Sequence, residues 1–331
     1  MILSHDDNDH IRGAVSLITS AAASLREIWV PADWAILVTQ IAETDQTALL
    51  PDTSVTVSST SVRKEIARQI ASDDIVADGP LSIDLLTRAD HNLRSWDVAA
   101  ASGAGTWYGA RNLQEIVNRV RRRAKALIAI LTAAITGSIR VRFFSIDLAL
   151  SRKSKSWETE GQPGTVTLAN AAEAPHSLAV RIQPGLPHAY ALTRLTVQNR
   201  RALCTLLWTN SRKPDGGVVI WSDTDGNWLD HAGPLGLDKV IQTLSASSAP
   251  HHASANTAHD RVWTELGHAP STLIMISAGG SRSQSYRPDY NTLSSRRCCT
   301  WCRPGSTTYQ EVRASSTAAG VALHRTCANP H

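Results

Sequence analysis

The chain holds only two Phe and two Met in 331 residues, and its Lys are few beside its Arg. An apolar interior must therefore be assembled from Ala, Val, Ile, Leu and the 10 Trp. No long hydrophobic run is present. The longest uncharged apolar stretch, Ala126–Ile139, has 14 residues, short of the roughly 20 that span a bilayer. Asp6, Asp7 and Asp9 stand where a secretory signal carries positive charge, so a soluble protein made in the cytosol is expected. Five cysteines, an odd number, argue against a disulfide framework. The strings H-E-x-x-H, G-x-S-x-G and the phosphate-loop motif are all absent.

What is present is a chain that can fold. Hydrophobic residues make up 42% and charged residues 19%, which excludes a disordered tail. The net charge of +4 conceals a strong alternation. Residues 1–118 sum to −8, residues 119–155 to +9, and the remainder to +3. Such a field favours a complementary surface: a second copy, an acidic protein, or phosphates.

Periodicity changes along the chain. Ile11, Val15, Ile18, Ala22, Leu25 and Trp29 recur at helical spacing. Pro31 breaks that pattern and opens another with Trp34, Leu37, Val38 and Ile41. Asp78 and Pro80 read as a cap and first turn ahead of Leu81, Leu85 and Leu86. The strongest helix runs from Arg111 to Ile135, with Gly137 as its stop. Its second half is apolar nearly all round and must be enclosed. From Ile139 the period shortens. IRVRFFSIDLAL, TVTLANA, SLAVRIQP, LTRLTVQ, ALCTLLWT and GVVIWSD alternate with turn clusters and no helical pattern between them, the mark of antiparallel pairing.

The expected class is α+β, in four parts. These are a helical domain over 1–137, an antiparallel, jelly-roll-like β-sandwich over 138–233, short helices and a linker over 234–278, and an irregular Cys/Ser/Arg-rich tail over 279–331.

Candidate chemistry is sparse. Gly103, Gly105 and Gly109 approximate a dinucleotide fingerprint. The preceding SWDVAAA is a poor strand, and position 129 falls inside a helix, so a loop capping the long helix explains them better. Cys299, Cys302, His324 and Cys327 have the spacing of a structural zinc knuckle. Ordinary free cysteines are the simpler alternative. Asp223, Asp225, Asn227 and Asp230 suggest calcium. The terminal glutamate of a calcium loop is missing, and a tight hairpin turn accounts for them. His251, His252 and His259 fall in a small-residue linker without supporting carboxylate spacing. No catalytic residue, cofactor or metal is assigned from the sequence, and no small-molecule substrate or membrane partner is expected.

The basic segment is the most substantial feature. It comprises Arg119, Arg121, Arg122, Arg123 and Lys125 on the long helix, then Arg140, Arg142, Arg152, Lys153 and Lys155. Guanidinium groups suit phosphate, so RNA is a possible partner. They suit carboxylates equally, and the acidic first 118 residues supply those.

The stretch GAGTWYGAR, the helix RRRAKALIAILTAAITGS and the run GGVVIWSDTDGNW follow one another in an order that resembles the coat proteins of double-stranded RNA viruses, of the trimeric orbivirus core-surface type. That resemblance implies a jelly roll on a helical base, and a structural capsid subunit that self-associates and contacts other shell proteins in the virion or host cytoplasm. It implies no enzyme. Trp107, Trp208, Trp221 and Trp228 are the candidate contact anchors. RNA binding through 119–155, and a nucleotide-dependent enzyme through Gly103–Gly109, are the alternatives.

Overall fold

The computed structural model describes residues 1–43, 82–101, 111–145, 166–173, 202–207, 217–232, 244–255, 257–268, 273–276, 297–299, 314–317 and 320–323. Met1–Ser145 with Glu173–Gln198 form one unit, and Ile146–Ala172 with Asn199–His331 the other. Helices and small mixed sheets make this an α+β chain. Among the described residues no helix is long and apolar enough to cross a membrane.

In the first unit the early helical pattern is interrupted. Helix α1 (Asn8–Ile11) gives way at Gly13, whose φ of 86° suits a residue without a Cβ. Helix α2 (Ala14–Ser20) then ends, and Glu27–Pro31 form strand β1. The expected helix through Trp29 is thus corrected. Ile28, Trp29 and Val30 are consecutive buried residues, a pattern that a strand covered on both faces requires. Helix α3 (Ala32–Glu43) starts directly after Pro31. Helix α4 (Ile83–Ala101) is capped by Ser82, whose Oγ accepts from the Leu85 N–H at 3.2 Å. Asp78 and Pro80 lie outside the described residues. Asn92 on α4 donates to the carbonyls of Ile41 (2.8 Å) and Ala42 (3.3 Å), satisfying the open end of α3.

Helix α5 (Arg111–Thr136) has the extent that its periodicity predicts. Leu127, Ile130, Leu131 and Ala134 are fully enclosed, and they join Ile18, Trp34, Val38 and Leu86 in one core. The left-handed residue at its end is Ser138 (φ 55°), one position after the expected Gly137. Strand β2 (Arg140–Ser145) returns alongside β1 in parallel register, Ile28 opposite Val141 and Val30 opposite Phe143. The chain start joins the opposite edge of β1: Ile2 bridges Trp29 in parallel, and the Leu3 N–H donates to the Trp29 carbonyl at 2.9 Å.

In the second unit β3 (Val166–Leu168) leads to the boundary strand β4 (Ala172–Glu173), whose Glu173 belongs to the first unit. There follow β5 (Thr205–Leu207), β6 (Val218–Ile220), helix α6 (Leu229–Ala232), β7 (Ala246–Ser248), helix α7 (Asp260–Gly267), β8 (Leu273–Ile276) and β9 (Arg297–Cys299). Six of these strands form one sheet in the order β3-β5-β6-β7-β8-β9. Antiparallel pairing, as expected, joins β3 to β5 and β5 to β6. From β6 to β9 every pairing is parallel. This corrects the all-antiparallel jelly roll, because parallel neighbours need crossovers, and α7 occupies the one between β7 and β8. The stretch expected to be a linker contains β7, and the expected irregular tail contributes β9 and a hairpin of β10 (Ala314–Thr317) and β11 (Gly320–Leu323). A buried Asn170 ties this unit together. Its Nδ2 donates to the Ala202 carbonyl (2.9 Å), and its Oδ1 accepts from the Cys204 N–H (2.8 Å). Cys204 is wholly buried, and that burial raises its thiol pKa far above the usual range.

Candidate functional site

Each unit carries a histidine–carboxylate cluster; that of the second lies on the loops that leave the carboxyl ends of the parallel strands β6 and β7, the edge where open parallel sheets present their ligands.

In the first unit the cluster lies on residues 4–7 and continues into α1. His5 is 1% exposed and Asp6 is fully buried. The His5 and His10 rings are tilted 49° to each other with centroids 4.0 Å apart. Ser4 Oγ lies 3.0 Å from His5 Nδ1 and 3.4 Å from His10 Nδ1. A hydroxyl carries two lone pairs, so it can accept from both Nδ1–H groups and turn both Nε2 atoms toward a ligand. Asp7 Oδ2 lies 3.7 Å from His5 Nε2, close to the edge of a tetrahedral zinc site, roughly 3.3 Å for bonds of about 2.0 Å. Arg123 on α5 binds the other Asp7 oxygen and places Nη1 3.6 Å from Asp6 Oδ1. Burial lifts the Asp6 pKa to about 6, against the lowering effect of Arg123.

In the second unit the loops after β6 and β7 are joined by the His251 N–H, which donates to the Ser222 carbonyl at 2.9 Å. His251 Nε2 lies 3.5 Å from Asp223 Oδ2. Its Nδ1 is 2.9 Å from His259 Nε2, and His259 Nδ1 is 2.9 Å from the Thr224 carbonyl oxygen. His259 is 2% exposed, and burial lowers its pKa below the usual histidine range, against a raising effect of the Thr224 carbonyl. The backbone is strained here. Ser222 (φ 55°), His251 (44°), His252 (53°) and Ala253 (64°) all adopt left-handed conformations. Each costs a residue with a Cβ about 1–2 kcal/mol, and such strain gathers at functional loops.

The acidic string 222–230 is a turn into α6 and not a hairpin, because Leu229–Ala232 is helical. Both Asp225 oxygens are taken by Asn227, from its N–H (3.0 Å) and its Nδ2 (2.7 Å). Trp228 Nε1 donates to Thr224 Oγ1 (3.1 Å). Trp221 and Trp228 are buried in the interior.

Of the other sequence candidates, Gly103, Gly105, Gly109, Trp107, Trp208, Cys302, His324, Cys327, Arg152, Lys153 and Lys155 lie outside the described residues, and Cys299 ends β9. Arg119 and Arg121 lie on α5. Arg122, Lys125 and Arg140 are exposed, while Arg123 and Arg142 pair with carboxylates of their own unit. Arg142 Nε donates to Glu173 at 2.8 Å, and the guanidinium sits 5.1 Å over the Trp29 ring.

Sequence reasoning passed over His5, Asp7 and His10 as ligands, although two histidines and three aspartates within H-D-D-N-D-H are themselves a signal. Asp223 and His251 are 28 positions apart, and only the pairing of β6 with β7 relates them. No family model matches the chain, and no curated protein or solved structure does either.

Proposed function

We propose that the protein is a divalent-metal-dependent hydrolase. The observation that carries this reading is the arrangement of His5, His10 and Asp7, two imidazoles tilted 49° to each other and held through Nδ1 by one serine hydroxyl, with the Asp7 carboxylate 3.7 Å from Nε2 of the first. Imidazole and carboxylate together suit zinc, manganese or iron. A bound cation would acidify water into a nucleophile at neutral pH. Arg123 supplies a fixed positive charge beside Asp6 and Asp7.

The test is zinc and manganese titration of chelator-treated protein by calorimetry, followed by a panel of ester, phosphoester and amide substrates. Stoichiometric binding that H5A and H10A abolish without unfolding, and metal-dependent turnover, support the reading. Absence of binding by the folded protein overturns it.

A second reading, self-association as a capsid or assembly subunit, draws on Val15 and Leu17, exposed on α2. Light scattering after size exclusion discriminates: a strict monomer at high concentration removes it. RNA binding through Arg122, Lys125 and Arg140 requires affinity that falls steeply with salt.

A further inference from the structure

An imidazole carries one or two N–H protons, and a chain of imidazoles holds only as many as have acceptors to receive them. Two rings of the second unit stand in such a chain. His259 Nδ1 lies 2.9 Å from the Thr224 carbonyl oxygen, and its Nε2 lies 2.9 Å from His251 Nδ1. His251 Nε2 in turn pairs with Asp223 Oδ2 at 3.5 Å. We infer that this chain is an acid-released latch, which closes the loops after β6 and β7 on each other while His259 is neutral and opens when His259 is protonated. The latch is independent of the metal reading above.

The proton count sets the limit. The Thr224 carbonyl can only accept, so His259 Nδ1 carries one proton. The ion pair with Asp223 puts a second on His251 Nε2. A third fits between the rings, donated by His251 Nδ1 to His259 Nε2. A fourth would set N–H against N–H across 2.9 Å and charge both rings, so it drives them apart. Burial holds His259 below the usual histidine range; His251 acts in the same sense, and the Thr224 carbonyl, Asp223 and Asp225 act against it. His259 also caps α7, whose positive end disfavours an added charge. Nearby stand His252, with its ring centroid 6.3 Å from that of His251, and Asp260 and Arg261 at the start of α7, where Arg261 pairs with Asp230 and Glu265. A histidine with a lowered folded pKa stabilises the closed form above its ordinary value of 6.5, and that contribution is lost as pH falls towards the folded value. What the latch holds is a strained turn. His251, His252 and Ala253 are all left-handed, a conformation that persists only while its surroundings impose it. The Ala249 N–H donates to the Met275 carbonyl of β8 at 2.7 Å, so the turn can swing out while β7 stays in the sheet.

The experiment is hydrogen exchange on the full chain, read as protection of the His251 amide, which donates to the Ser222 carbonyl at 2.9 Å in the closed form. It runs from about pH 8 to about pH 5, across the histidine range, with nitrogen-15 spectra of the His259 ring over the same interval. The variant is H259Q, which accepts through Oε1 and does not titrate. In the wild type the open population at His251 should rise by up to about tenfold for each pH unit below 6.5. The buried Ile274 of β8 should keep its protection, and the ring should gain its Nε2 proton over the same interval. In H259Q the opening should not depend on pH. Opening that is independent of pH in the wild type overturns the inference, and so does an equal rise in H259Q. Loss of protection at Ile274 in step with His251 is unfolding of the whole unit and overturns it too. Should H259Q fail to fold, the ring spectra decide: a His259 that takes its second proton while the His251 amide stays protected overturns the latch, and one that takes it only as that amide opens supports it.

Discussion

Arg123 reaches from the middle of α5 to the acidic loop at the chain start, binding Asp7 and holding Nη1 3.6 Å from the fully buried carboxylate of Asp6. One residue of the basic segment is thereby committed to the acidic N-terminal region, and the pair fixes the loop that carries His5 and His10.

Removing one partner of a buried ion pair strands the other charge. R123M should therefore destabilise the folded state by about 3–5 kcal/mol. The double variant D6N/R123M should recover part of that loss. Urea denaturation followed by circular dichroism measures both. Additive effects of the two substitutions would show that the pair is not coupled.

Asp6 makes the stability depend on pH in a defined direction. Its folded pKa, about 6, lies above the ordinary aspartate value of 3.8. Its contribution is thus fully present below pH 3.8 and is lost as pH rises through 6. With chelator present, D6N should gain on the wild type by on the order of 3 kcal/mol between pH 4 and pH 8. Parallel stability curves for the two proteins would contradict the assignment.

Gly226 lies in the loop behind Asp223, with φ of 76°, and an added Cβ would come within 2.6 Å of Val262 Cγ2. Both the backbone and the packing forbid a side chain. G226A should cost about 1–3 kcal/mol, read as a lower denaturation midpoint. A neutral effect would mean that the loop moves away from α7.

Asn170 stands in for a missing length of backbone, bonding the Ala202 carbonyl and the Cys204 N–H inside the second unit. N170A leaves both groups buried without it, at about 1–3 kcal/mol each. Faster amide exchange at Cys204 is the local signature; unchanged exchange there would argue against the bridge.

Zinc binding should also appear as stability. A ligand that binds only the folded state at 100 times its dissociation constant adds about 2.7 kcal/mol. A melting temperature that rises with zinc in the wild type and does not in H10A is the expected result; equal rises in both would place the metal elsewhere.

The sequence by itself determined the features that local periodicity governs. Helix α5 spans the residues that its spacing of apolar side chains dictates, and its enclosed second half follows from being apolar on every side. The short runs at 166–168, 205–207, 218–220 and 273–276 are strands for the same local reason. Only the tertiary structure decided how strands pair and which polar residues meet. Trp29 fits a helical period but lies in β1, because Gly13 ends one helix and β2 offers a parallel partner more than a hundred residues away. The linker-like SASS and PHHA segments became β7 and the His251 turn, since a small, polar string gains its strand only from neighbours on both sides. Asp223, His251 and His259 have no shared local pattern. Parallel pairing of β6 with β7 is what puts their loops at one edge, and pairing is a long-range contact that no window of sequence contains.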